Sequence, residues 1–208
     1  MFNKPLPNGP AGTRDRLISA MLEALGTRGF HGVGISELLH RAQAPKGVLY
    51  HHFPGGKTEW AVAAIDTVVV HITGALEHLF ARHDDPVQAL ALWMQEAQSI
   101  LQGSGFQRGC PLATIALEST AEDTAIREAV AKGFTAIRGC LKRALVTRGI
   151  DAQQAAGLSS LIVSAYEGGL IQARVAGSGG PLQETAATLL DTLAALLLKG
   201  QPKGQPQA

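Results

Sequence analysis

Three groups of residues carry side chains that could do chemistry at a spacing that matters: Gly56-Lys57-Thr58, the histidine pairs His51/His52 and His71/His78, and the cysteines Cys110 and Cys140. A Gly-Lys-Thr triplet ends the loop that cradles nucleotide phosphates. That loop needs a further glycine at position 51, where this chain has His51, and a preceding strand, so a nucleotide hydrolase is excluded on spacing. Adjacent His51 and His52 point to different faces of a helix, and His71 and His78 have no carboxylate or thiol placed between them to complete a zinc set. The two cysteines lie too far apart for a CxxC pair, and Arg108 near Cys110 is the only hint of a lowered thiol pKa, so ordinary buried thiols are expected. With no nucleophile elbow and no paired-carboxylate motif, the sequence offers no catalytic residue and calls for no metal or cofactor.

The stretch from Lys46 to Phe53 carries chemistry of another kind. Its inner face is limited to Leu49 and Phe53, which leaves Lys46, Gly47, Val48, Tyr50 and His51 on outer or flanking surfaces. Lys46 and Tyr50 can reach phosphates, Gly47 lets backbone approach backbone, and Val48 and His51 can meet base edges or thymine methyls in a major groove. A recognition helix needs a scaffold, and the preceding residues predict one. A first helix starts at Thr13, whose hydroxyl is a candidate cap, carries Leu17, Ile18, Met21, Leu22 and Leu25 on one face, and ends at Gly29. A second holds Ile35, Leu38, Leu39 and Ala42 at helical spacing. A break at Gln43 and Ala44 follows, with Gln43 expected at positive φ, and Pro45 sits in the first turn of the third helix.

Charge distribution agrees with a polyanion partner at one end. Residues 1–57 hold seven Lys/Arg against three Asp/Glu (+4), and the remainder eleven against fourteen (−3), within a chain of net charge +1. The 208 residues are 46% apolar, ample for a packed core. The N-terminus lacks an apolar signal region, and the longest apolar runs are broken by Asp66. Both features predict a cytoplasmic protein without a membrane span.

Beyond Gly56 the helices lengthen. One is expected from Lys57 to Arg82, and breaks at Asp84-Asp85-Pro86, Gly103-Ser104-Gly105 and Gly109-Cys110-Pro111 separate the next two. Another runs from Ala121 to Thr147; Asp151 with Gln154 resembles a capping box for a helix reaching Ala176; the last spans Leu182–Lys199. The expected fold is all-α: a three-helix helix-turn-helix head over 1–56, a six-helix body over 57–199 and a disordered tail over 200–208.

Residues 13–60 resemble the N-terminal domain of the TetR/AcrR family of transcriptional regulators, through Thr13-Arg14, Gly29-Phe30, Ala42, the string from Ala44 to Phe53, and Lys57. His51 to Lys57, together with Gly109-Cys110-Pro111-Leu112-Ala113 and Glu118, are similar to the LmrA/YxaF-like subgroup. The resemblance implies that Thr13, Lys46, Gly47, Val48, Tyr50 and His51 serve double-stranded operator DNA, and that Lys57 contacts phosphate from the start of the fourth helix. Val33 and Gly34 stand where the family often has Thr-Ser, so Ser36 is the candidate substitute anchor at the second helix. The resemblance also implies a small apolar or aromatic effector, for which Trp93, Phe134 and Tyr166 are the candidate ligand-binding residues. A homodimer is implied through the last two helices, using Leu161, Ile162, Ala165, Gly169 and Ala173 with Leu189, Leu193, Leu196 and Leu197. The reading is a repressor released by its effector, with the fourth helix as lever. An activator with the same head, or a helical carrier or enzyme, are the alternatives.

Overall fold

The computed structural model describes residues 12–200, with side chains as far as Leu197. Among these residues every regular element is a helix: α1 (Thr13–Thr27), α2 (Ile35–Arg41), α3 (Lys46–His52), α4 (Gly56–Arg82), α5 (Pro86–Gly103), α6 (Pro111–Glu118), α7 (Thr124–Thr147), α8 (Ala152–Ala176) and α9 (Gly180–Gly200). The tail expected over 200–208 falls outside the described residues, apart from Gly200, which is still helical.

The punctuation follows local chemistry. Gly29, Gly149 and Gly177 take positive φ just beyond α1, α7 and α8, where a side chain would meet its own carbonyl. Asp85 and Asp151 cap α5 and α8 with their carboxylates; Asp151 accepts from the amides of Gln153 and Gln154. The last helix begins at Gly180 rather than Leu182, and two further details at helix starts differ from expectation. Gly12, not Thr13, is the N-cap of α1, and the Thr13 hydroxyl instead receives Arg16 at 3.3 Å. The seventh helix begins at Thr124 rather than Ala121, because the Asp123 carboxylate accepts from both the amide and the hydroxyl of Thr120, closing a turn there.

We refer to α1–α3 as the head and α5–α9 as the body; α4 is common to both. It packs on α1 near its start and along α5 and α7 further on. By length and composition α4 would pass as a membrane span, yet Trp60, Ala61, Ala64, Ile65, Val68, Ile72, Leu76 and Phe80 are buried against other helices, the profile of a core helix. In the body, α8 lies between α7 and α9. There Ile162, Gly169, Ala173, Leu189 and Leu193 fill the chain's own interior, and a Cβ at Gly169 would sit 2.9 Å from Leu182. Ile162, Gly169, Ala173 and Leu193 are therefore not free for a partner. Leu161 (49% exposed), Ile171 and Val175 (85% exposed) remain on the outside of α8, where a shallow groove with α9 is lined by Leu161, Ala165, Thr185, Thr188, Leu189 and Thr192.

Candidate nucleic-acid interface and interior cavity

The head is held from inside. Leu49 and Phe53 of the α3 segment are buried; Phe53 stacks on Trp60, with ring centroids 6.1 Å apart and planes 9° apart, and the Arg14 guanidinium lies over the Phe53 ring, 5.4 Å from its centroid. Arg16 donates from Nε to the Ala42 carbonyl at 3.1 Å, which ties the end of α2 to α1. Gln43 then takes φ 50, as the sequence suggested, and Ala44 N–H returns to the Leu39 carbonyl, so the turn closes before Pro45 leads into α3. Across the back, Glu37 accepts from Arg28 and Arg41, and Arg41 also meets Glu23 at 3.0 Å. Those guanidinium hydrogen bonds hold the Glu37 carboxyl below its usual range.

That scaffold leaves one outward surface. Lys46, Gly47, Tyr50 and His51 are exposed, Val48 is half-buried, and the His51 and His52 rings meet edge to face at 5.0 Å. A Cβ added at Gly47 would meet nothing within 4 Å. Glycine inside a helix costs about 0.5–1 kcal/mol relative to alanine, so the fold itself gives no reason for it. Ser36 is exposed near the start of α2, and Thr13 is half-buried.

Lys57 is turned the other way. Its Nζ donates to the Phe30 carbonyl at 2.5 Å and lies 4.3 Å from the centroid of the Phe30 ring. Burial lowers its pKa, opposed by the nearby Glu118 carboxylate. An ammonium spent on its own chain is not offered to a phosphate in this conformation, and the sequence carried no sign of that partner.

Where α1, α4, α5 and α8 meet there is a cavity of about 90 Å³, partly open to solvent, lined by α1 (Leu22), α4 (Val68, His71, Ile72), α5 (Ala97, Ile100), the segment Arg108-Gly109-Cys110-Pro111 and α8 (Tyr166, Leu170). Of the three aromatic residues expected to line a pocket, only Tyr166 does. Trp93 is buried behind it, stacked at 4.1 Å, with its indole nitrogen lacking a hydrogen-bond partner. Phe134 is half-buried on α7 and is not in the lining. Sequence reasoning missed Glu167, next in the chain to the cavity-lining Tyr166, whose Oε2 is buried without a partner. Burial pushes that carboxyl up to about 7, and burial also raises the Cys110 thiol, which argues against a reactive thiolate there. No group of three or more metal-ligating side chains occurs among the described residues.

Comparison with known proteins gives this architecture its class. Residues 17–63 match the model for bacterial regulatory proteins of the tetR family, and residues 86–188 match the C-terminal domain of LmrA/YxaF-like transcriptional regulators. The chain belongs to the TetR family of DNA-binding transcriptional regulators, and within it to the LmrA/YxaF-like group. It is 24% identical over 181 residues to the HTH-type transcriptional regulator LmrA of Bacillus subtilis (87% of this chain, 96% of LmrA). It is 28% identical over 195 residues to the HTH-type transcriptional repressor NemR of Escherichia coli (88% of this chain, 94% of NemR). The crystal structure of reduced NemR superposes with a TM-score of 0.71 over 86% of this chain and 96% of that one. CifR, a TetR-family regulator solved with 26-bp operator DNA, superposes with a TM-score of 0.73 at 17% identity over 85% of this chain and 94% of its own. These relatives are transcriptional regulators, not enzymes.

Proposed function

We propose that the protein is a cytoplasmic, homodimeric repressor that binds a palindromic operator through α3 and leaves it when a small apolar molecule occupies the body. The observation that carries the DNA-facing assignment is the contrast across α3: an inner face locked by Leu49, and an outer one that exposes Lys46, Gly47, Tyr50 and His51 to solvent. An open surface with a helical glycine suits close approach to a phosphate backbone, with Val48 and His51 at base edges. Ser36 and Thr13 flank it as phosphate contacts. The division into a DNA-binding head ending at residue 56 and a ligand-binding, dimerising body from residue 57 belongs to the same reading.

Its effector site is the cavity bounded by Tyr166, Leu170 and Ala97, with Trp93 as the support behind Tyr166 rather than as a wall. At about 90 Å³ it is smaller in this state than the cavities of about 150 Å³ that hold benzene, so a ring-sized compound enters only as the walls move apart. Dimerisation uses the outer face of α8, where Leu161, Ile171 and Val175 leave apolar surface uncovered, together with α9. NemR is named a repressor, which supports that sense over activation.

The test is fluorescence anisotropy with DNA from upstream of the protein's own gene, at stated salt. Lys46→Ala is expected to weaken binding and reduce the salt slope by about one. Gly47→Ala should leave the fold at least as stable while lowering operator affinity. Wild-type binding that is weak and indifferent to both changes would refute the reading.

A further inference from the structure

One body residue meets two consecutive amides of the head. The Glu118 carboxylate, at the last position of α6, accepts from the amide of Phe30 and, at 3.3 Å, from that of His31. These are the first amides after the Gly29 turn that ends α1. A Cβ at Gly29 would overlap the carboxylate, so the close approach needs a glycine there as well as positive φ. Phe30 is gripped on its other side too, since its carbonyl and ring both hold Lys57 from the first turn of α4. Glu118 and Lys57 thus clamp one peptide of the head between a carboxylate of the body and an ammonium of the linking helix.

The other end of α6 grips the head a second time. Gly109 donates to the Gly26 carbonyl at 3.0 Å, and a Cβ at Gly26 would lie 3.3 Å from the Gly109 oxygen. Gly109 belongs to the segment that walls the cavity. Arg174 of α8 adds a bond to the Thr27 carbonyl at 2.8 Å. The eight-residue helix α6 therefore spans from the cavity wall to the Glu118 carboxylate, with bonds to the head at Glu118 and, just before its first turn, at Gly109.

We infer that Glu118 is the positioning residue through which the body fixes the DNA-binding head, and that α6 is the strut that links the cavity wall to it. The inference rests on the proposed reading of α3 as the DNA-facing element. A carboxylate bonding two consecutive backbone amides constrains orientation as well as distance, because both N–H vectors must point at one group. Removing it leaves the polar ties of Phe30 and His31 to Lys57 and to the more exposed Asp123, at 3.1 Å from His31.

The experiment uses the full-length protein and a palindromic duplex that the wild type selects from random-sequence DNA. Glu118→Ala is expected to lower operator affinity about tenfold or more. Its thermal unfolding should remain cooperative, and the Phe30 and His31 amides should exchange faster in hydrogen-exchange mass spectrometry. Glu118→Gln keeps an acceptor oxygen and should restore most of the affinity. The inference is overturned if Glu118→Ala binds as tightly as wild type, or if its loss is fully accounted for by unfolded protein and Glu118→Gln does no better. Failure of the wild type to select any sequence would instead strike the operator reading itself, so the two failures are distinguishable.

Discussion

The indole nitrogen of Trp60 donates to the Leu17 carbonyl at 2.8 Å, joining the first buried turn of α4 to the middle of α1. Trp60 is completely buried and also backs the Phe53 ring, so one side chain unites α1, the exit of α3 and α4. The orientation of α3 is consequently set by α4 and not by the short helices alone.

Trp60→Phe keeps an aromatic ring and deletes the bond. It should lower stability by about 1–3 kcal/mol, read as a drop in the urea midpoint. An unchanged midpoint would mean that the hydrogen bond contributes nothing beyond packing.

Gln43 holds φ 50 in the turn between α2 and α3. A left-handed conformation costs a residue with a side chain about 1–2 kcal/mol. Gln43→Gly is therefore expected to stabilise the protein by up to about 1 kcal/mol, since glycine also gains freedom in the unfolded chain. Destabilisation by the glycine would show that the Gln43 side chain has a role the backbone does not reveal.

The Glu167 carboxyl, at about 7 in the folded protein against an ordinary 4.5, favours its protonated form there. A raised folded-state pKa contributes stability that is complete below about 4.5 and lost as pH rises through about 7. Wild type should lose on the order of 1–3 kcal/mol between about pH 5 and about pH 8 through this group, and Glu167→Gln should flatten that part of the profile. Parallel profiles for the two proteins would place the carboxyl in a wetter environment than its buried Oε2 implies.

Leu161 is half exposed on the outer face of α8. Placing a charge there should cost the folded monomer little, whereas burying it in an apolar interface is prohibitive. Leu161→Glu is expected to sediment as a folded monomer and to lose cooperative operator binding. A dimer that persists unchanged would move the interface elsewhere.

Much of this architecture was legible because it is local. The breaks at Gly29, Gly149 and Gly177, the cap at Asp151, the positive φ of Gln43 and the inner face of Leu49 and Phe53 each depend on residues within a turn or two. What escaped depends on docking across the chain. Glu118 meets Phe30 across 88 positions, and no periodicity announces that encounter. Lys57 reads as a free cation at a helix start until Phe30 is seen to receive it. Trp93 and Tyr166 each carry a polar group on an aromatic ring, but only their stacking decides which of them faces the cavity. The same holds on α8, where Leu161 and Ile162 differ by one position and lie on opposite sides of the boundary between surface and core.

Leu22 gives the cavity a wall that belongs to α1. A library of variants meant to reshape the cavity will therefore divide into two populations. Changes at Ala97 or Leu170 alter the volume alone, while changes at Leu22 also shift the packing of the helix on which α3 is mounted. Selectivity for what the cavity admits and affinity at the head can evolve separately from the first pair of positions, and only together from the last.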